Sequence, residues 1–276
     1  MQTSSSVLAP IPMTKYHQIY LVLREQLVEG RFSEGLPGEV ALMQQFGVAR
    51  VTVRRALEQL AAEGLISREP GRGTRSLMSS NAVKKSASNA PTFGEKGQRA
   101  GLTGLLENLV SMSQQTTVKV LEVESVTAST AIAEALQIQP GASVQKAIRV
   151  RSTQQGPLSH ITTYVPGDIA RRFGRRELAK RPILVLLEEA GVVVGRAQQT
   201  ISARLADVQV ARHLDIAVGS ALLAVRRLIF DNKERPIQWL HGLYRPDRYE
   251  YEMQLSRIGN IDAKVWVSED LSAKFN

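Results

Sequence analysis

The chain of 276 residues holds four histidines, His17, His160, His213 and His241, and no two of them have metal-ligand spacing. It has no cysteine, which excludes thiol catalysis, thiolate zinc sites and disulfides. No Gly-x-Ser-x-Gly turn, no phosphate-binding loop and no defensible carboxylate pair is present. What the chain does carry is arginine at informative intervals. Arg50, Arg54 and Arg55 crowd one short stretch, and Arg149 and Arg151 stand two apart in an apolar run. A guanidinium does little acid–base chemistry at neutral pH, but it grips carboxylates and phosphates through two parallel N–H donors. The residues therefore predict a binding protein and not an enzyme, with no catalytic residue, cofactor or metal.

Composition points the same way. The formal net charge is +9 and the isoelectric point about 10.0, a balance that favours a polyanionic partner, nucleic acid before a membrane surface. No apolar run approaches the roughly 20 residues of a membrane span. Residues 1–13 lack a basic stretch followed by an apolar core and read as a flexible lead-in, not a signal peptide. A cytoplasmic protein is expected. The length suits two domains.

The first group of arginines sits in a helical context. Ile19, Leu23 and Leu27 recur every four residues with Val22 alongside, predicting an amphipathic helix that Gly30 ends. A short second helix follows Leu36-Pro37-Gly38-Glu39, with Val40, Leu42, Met43 and Phe46 as its apolar side and Gly47 at its close. A third begins three residues later and runs to about Glu63, stopped by Gly64. Two helices joined by so short a turn predict a helix-turn-helix. On the third helix Val53, Ala56, Leu57 and Leu60 have the spacing of a buried face. Val51 and Arg55 lie opposite, Thr52 and Arg54 flank it, and Arg50 occupies the first turn. In a recognition helix those positions face the major groove, where arginine reaches guanine or phosphate and valine a thymine methyl. The competing reading is a solvated basic face. Leu65–Arg68, the turn Glu69-Pro70-Gly71-Arg72-Gly73 and Thr74–Leu77 then predict a β-hairpin wing. Gly71 and Gly73 permit positive φ, and Arg72 at the tip is placed for phosphate or the minor groove.

The second group sits in a repeat. Ala135 to Gly141 matches Arg212 to Gly219 in pattern, and an arginine follows about eight residues after each glycine, Arg149 and Arg227. Gly156-Pro157-Leu158 then matches Arg235-Pro236-Ile237, and Tyr164-Val165-Pro166 matches Tyr244-Arg245-Pro246. The unit is helix, strand, turn, strand, used twice. It predicts a pseudo-symmetric α+β sandwich with a cleft between its halves; the alternative is chance similarity of two ordinary hairpins. Arg149 and Arg151 share one strand face. Two guanidiniums turned inward would be unfavourable without an anion; the alternative is that both face solvent or pair with Glu122, Glu124 or another acid. The organisation read from these features is a flexible 1–13, a DNA-binding 14–78, a Ser-, Gly- and Lys-rich linker 79–100, a second domain 101–256 and a tail 257–276. In that tail Ala263–Val267 is an extra strand or an ordered end.

Residues 16–77 resemble the N-terminal domain of the GntR family, on Phe46-Gly47-Val48-Ala49-Arg50-Val51-Thr52-Val53-Arg54-Arg55-Ala56-Leu57, Glu63-Gly64-Leu65-Ile66 and Gly71-Arg72-Gly73-Thr74. The resemblance implies that Arg50, Thr52, Arg54 and Gly71 contact operator DNA. Three residues depart from the pattern. Ala49 stands where the family has Ser or Thr, so a side-chain helix cap worth about 0.5–2 kcal/mol is missing. Gly38 replaces Ser or Ala, and Val40 stands where a DNA-touching arginine is usual. Residues from about 100 to 256 resemble the UTRA effector domain of the HutC-like branch, on Ile148-Arg149-Val150-Arg151, Gly156-Pro157, Tyr164-Val165-Pro166, Ile201-Ser202-Ala203, Leu214 to Gly219, Arg226-Arg227 and Pro236 through Tyr249.

The fold implied is α+β, a winged helix-turn-helix joined to a chorismate-lyase-like antiparallel sheet domain with helices that binds ligands. Arg149 and Arg151 take anion-contacting positions by this likeness, and Ile161, Gln238 and Tyr244 pocket positions. Tyr164 and His160 are candidate further contacts; for His160 a satisfied histidine is the competing reading. Ile161 and Gln238 stand where sugar-phosphate responders commonly carry Glu, so a small carboxylate with an apolar body is the expected effector. The function expected is that of a homodimeric, sequence-specific repressor of double-stranded operator DNA whose affinity a small anionic metabolite modulates. A phosphorylated-sugar responder and an architectural DNA binder without effector are the alternatives.

Overall fold

The computed structural model of the chain describes residues 14–28, 32, 35–69, 73–77, 116–257 and 266–274. They fall into two compact units. The expected lead-in 1–13, Gly30, the wing tip at Gly71 and Arg72, and the linker 79–100 lie outside the described residues.

The N-terminal unit comprises α1 (Lys15–Val28), α2 (Glu39–Phe46), α3 (Arg50–Ala62) and the antiparallel pair β1 (Ile66–Glu69) and β2 (Gly73–Ser76). Its core is the periodic apolar set: Ile19, Leu23 and Leu27 from α1, Leu42 from α2, then Val53, Ala56, Leu57 and Leu60 from α3, with Ile66 of β1. Gly47 closes α2 in the left-handed region at φ 63°, which lets the chain re-enter a helix three residues on. Tyr20 of α1 donates to Glu63 after α3 at 2.6 Å. The Leu36 amide donates to the Thr74 carbonyl at 2.9 Å and so ties the segment before α2 to the wing. One residue departs from the helical reading. Val40, expected on the apolar side of α2, is 62% exposed. Gly38 and Ala49 take the N-cap positions of α2 and α3 in extended backbone, and neither cap has a side-chain hydrogen bond.

The C-terminal unit runs β3 (Thr117–Thr127), α4 (Thr130–Leu136), β4 (Ser143–Thr153), β5 (Gly156–Pro166), three short helices α5 (Gly167–Ala170), α6 (Arg175–Lys180) and α7 (Ile183–Glu189), then β6 (Val194–Leu205), α8 (Val208–Leu214), β7 (Ala221–Asp231) and β8 (Pro236–Tyr244). The strands form one sheet in the order β3-β4-β5-β8-β7-β6. The order is symmetric about the β5–β8 junction, and the two halves share the plan strand, helix, strand, strand. The repeat read from sequence therefore lacks one leading strand in each half. Its backbone agrees residue by residue: Gln137 and Asp215 have φ 52° and 54°, and Gly141 and Gly219 both have φ 82°. Both pairs are 78 residues apart. The predicted sandwich with a cleft between halves is replaced by a continuous sheet, because β5 and β8 pair directly, with Ile161 opposite Gly242.

Helices cover both faces. Ala133 and Leu136 of α4 pack with Val144, Leu228, Tyr164 and Trp239. On the same face His213 of α8 stacks on His160 of β5, centroids 5.3 Å apart. The connecting helices α5 to α7 cover the other face through Ile169, Phe173, Leu178, Leu184 and Leu187, which pack on Ala147, Val165 and Ile229. Beyond β8, β9 (Glu250–Arg257) pairs antiparallel with β10 (Trp266–Lys274). Part of the segment read as a tail is thus strand, including Trp266 and Val267, while residues 263–265 lie outside the described residues.

Candidate functional site

Two groups of arginine stand out, in opposite surroundings. On the N-terminal unit, Arg50 and Arg54 of α3 are 66% and 56% exposed at the side chain. Val51 is 72% exposed, an apolar side chain on an otherwise charged surface. One carboxylate organises the cluster. Glu39, the first residue of α2, accepts from Arg50 Nε at 2.7 Å and from Arg68 of β1 at 2.6 Å, and lies 3.9 Å from Arg54 Nε. The hydrogen bond from Arg50 holds the Glu39 carboxyl below the usual carboxylate range. Arg55 is placed differently: its guanidinium sits 4.2 Å from the centre of the Tyr16 ring, against α1. Thr52 is half-buried beside these residues. In the wing, Gly73 has φ 86° and Thr74 gives its carbonyl to Leu36. Arg50, Thr52, Arg54 and Val51 share the first two turns of α3, as the spacing requires.

On the C-terminal unit the arginines are inside. A cavity of about 540 Å3, counted with its open mouth, is lined by Arg149, Arg151, Ile161, Pro182, Ile183, Leu184, Arg227, Ile229, Gln238, Leu240 and Tyr244. Sheet pleating explains the set. Arg149 faces Ile161 across β4–β5, and Ile161 faces Gly242 across β5–β8, so odd positions of β4 and β5 and even positions of β8 share one face. Pro182, Ile183 and Leu184 at the start of α7 roof it. Arg149 is 3% exposed and its Nε has no hydrogen-bond partner among the described residues. Burial first, and then the neighbouring Arg151, push its pKa down to about 9; Arg151 is lowered by burial as well. Arg151 donates to the Thr116 hydroxyl at 2.9 Å. Both amide atoms of fully buried Gln238 lack partners among the described residues. A buried cation with an open donor and a buried amide with open sites fit a ligand that brings acceptors. The outward alternative, pairing with Glu122 or Glu124, does not occur for these arginines. Those two carboxylates take Lys146 instead, at 2.5 and 3.0 Å.

Five of the six side chains expected at this site line the cavity: Arg149, Arg151, Ile161, Gln238 and Tyr244. Tyr164 does not. It lies on the opposite sheet face with Trp239 and His241, 5.8 and 6.3 Å between ring centres, because three residues along a strand from Ile161 reverse the direction of a side chain. His160 is likewise on that face, stacked on His213. The lining residues Pro182, Ile183, Leu184, Arg227, Ile229 and Leu240, and Gly242 beside them, escape the sequence reading. Arg227 enters it only as the repeat partner of Arg149, and that partnership is the available signal. Gly242 gives no such signal: a Cβ there would come within 2.6 Å of the Tyr244 ring, so the glycine lets that ring lie along its own strand toward the cavity.

Comparison with known proteins matches both units. Residues 15–75 match the bacterial regulatory proteins of the gntR family, and residues 111–250 match the UTRA domain. The chain is 26% identical over 252 residues to the HTH-type transcriptional repressor NagR of Bacillus subtilis, covering 91% of this chain and 97% of that protein. It is 28% identical over 246 residues to the mannosyl-D-glycerate transport/metabolism system repressor MngR of Escherichia coli, covering 88% and 96%. Among solved structures, a transcriptional regulator from Streptomyces coelicolor superposes with a TM-score of 0.50 at 30% identity, over 52% of this chain and 95% of that one. No helix among the described residues is long and apolar enough to cross a membrane. With a winged helix-turn-helix at one end and a UTRA effector domain at the other, the chain belongs to the gntR family of bacterial regulatory proteins, in its HutC-like branch of DNA-binding transcription regulators.

Proposed function

We propose that this regulator is a cytoplasmic repressor, working as a homodimer, that leaves its operator when a small carboxylate binds the cavity of the UTRA domain. The observation that carries the effector reading is Arg149: a residue 3% exposed, its guanidinium beside a second one, with no carboxylate among the described lining residues. A carboxylate or phosphate supplies the missing charge through paired hydrogen bonds. The rest of the lining favours the carboxylate. Ile161, Ile183, Leu184, Ile229 and Leu240 present hydrocarbon, and Gln238 is a neutral amide. A polyhydroxylated sugar would leave hydroxyls unpaired against them, at about 1–3 kcal/mol each. A sugar phosphate is the second reading, favoured by the same arginine pair. No catalytic role is assigned to any residue.

On the DNA side Arg50, Val51, Thr52 and Arg54 are assigned to the major groove and Arg55 to the helix flank, with Gly71, Arg72, Gly73 and Thr74 forming the wing contact. Two copies reading a pseudo-palindromic site follow from the symmetry of such operators. The domain limits proposed are 14–78 and 101–256, joined by 79–100. The ligand acts only through its different affinity for the operator-competent and released arrangements, ordinarily about 1–3 kcal/mol.

Calorimetry of the full chain against a panel of organic acids and sugar phosphates tests the effector class. Organic acids that bind, and lose binding in Arg149→Gln, support it; binding of sugar phosphates alone rejects it. Light scattering at micromolar concentration checks the dimer, and a monomer there removes it.

A further inference from the structure

The duplication and the cavity meet at one residue. Arg227 on β7 is the counterpart of Arg149 on β4, with the same offset of 78 that separates the matched backbone positions Gln137 and Asp215. Both guanidiniums line one cavity, and the two residues are 3% and 4% exposed. They do not form one centre. Arg149 opposes Ile161, Ile161 opposes Gly242, Gly242 opposes Val225, and Arg227 lies two residues further along β7. Three strand spacings and a two-residue stagger therefore separate the two backbones, on the order of 16 Å. Arg149 has Arg151 and Tyr244 as its electrostatic neighbours, whereas Arg227 acts on Tyr249 and Tyr251. Arg227 Nε donates to the side-chain oxygen of Gln199 at 2.8 Å. That acceptor is neutral, so it fixes the guanidinium without cancelling its charge. By the register, Ile161 and Leu240 of the lining lie between the two arginines, and Gln238 and Ile229 lie one further pair along the strands, beyond Arg227.

We infer that the effector carries two anionic groups, one held by Arg149 and Arg151 and the other by Arg227, joined by a short apolar body lying over Ile161 and Leu240. The inference rests on the reading that this cavity takes a carboxylate, and adds a second anion subsite and the ligand class of a dicarboxylate. The internal repeat supplies the physical reason: a pseudo-symmetric sheet presents the same cation twice, once from each half, and a buried cation calls for its own counter-charge.

Calorimetric titration of the full-length protein with adipate and with hexanoate, which share a six-carbon chain and differ in the second carboxylate, tests it. Adipate is expected to bind at least about ten-fold more tightly than hexanoate, through one further buried, charge-assisted pair of hydrogen bonds. Arg227→Gln collapses that ratio toward one, and Arg227→Lys restores part of it. A merely structural Arg227, holding Gln199, would weaken both acids alike and keep the ratio. Equal affinities in the unaltered protein, or a ratio that survives Arg227→Gln, overturn the inference. The underlying reading is judged separately by Arg149→Gln. Loss of both acids there upholds the carboxylate site whatever the ratio does, and binding of glucose 6-phosphate with neither acid overturns reading and inference together.

Discussion

The two units use the same side chain in contrary ways. Arg50 and Arg54 of α3 stand in water, and Glu39 partly neutralises them. They cost little in the free protein, and in the DNA contact proposed for them would exchange a carboxylate and water for phosphates and bases. Arg149 and Arg227 of the sheet are enclosed, with no carboxylate among the described lining residues. They cost stability in the free protein, a cost that the charge of the proposed anionic ligand would offset. Exposed arginines attract a polyanion whose position is not fixed in advance. Buried ones specify where a small anion must sit. One unit is built for an approach along a surface and the other for capture in a fixed geometry.

Removing the enclosed charge probes the contrast most strongly. Arg149→Met should make the ligand-free effector unit more stable by about 1–4 kcal/mol, because a buried charge with no counter-charge among the described lining residues gives way to hydrocarbon of similar length. Urea unfolding measures it, and a loss of stability would show the guanidinium to be well satisfied in the free state. The exposed counterpart, Arg54→Ala, should leave unfolding almost unmoved and cost about 1–3 kcal/mol in operator affinity. Fluorescence anisotropy with labelled operator reads it; unchanged affinity would move the recognition surface off α3.

Smaller effects refine the DNA side. Ala49 holds the N-cap backbone of α3 without a capping side chain, so Ala49→Ser should add about 0.5–2 kcal/mol to the stability of the N-terminal unit. A melting temperature that does not rise would mean that the serine hydroxyl finds no free amide. Glu39→Gln releases Arg50 and Arg68. The salt dependence of operator binding should steepen, by about 0.9 in the slope of log K against log salt for each additional phosphate neutralised. A shallower slope would show that Glu39 orients the arginines for DNA instead of competing with it. The pH response follows from the same carboxyl. Its folded pKa lies below its unfolded value, so the stabilisation is complete above the ordinary carboxylate range and is lost as pH falls through the lower, folded value.

Much of the DNA-binding unit is legible in the sequence because its information is local. The buried face Val53, Ala56, Leu57 and Leu60 follows from helical period alone, and Gly47 marks the turn by the conformation it permits. Val40 shows the limit. Its place in an apolar pattern suggests the core, yet Leu42 alone of that helix is fully enclosed, since a helix of eight residues has too little length to bury a broad stripe. In the sheet, alternation correctly puts Arg149 and Arg151 on one face. The same alternation, applied to Ile161 and Tyr164, separates them, because their spacing is odd.

The helix-turn-helix, the wing strands, the duplicated hairpin and the shared face of Arg149 and Arg151 can be read along the chain alone, since each depends on residues close together and on the periods of helix and strand. Which sheet face the connecting helices cover, and the pairing of β8 with β5, emerge only once the layers pack. Those two facts bring Arg227, Gln238 and Tyr244 to the arginines of β4 from roughly 78 to 95 residues away. Strand order and the choice of covered face are set by the packing of whole layers, and no local spacing encodes them.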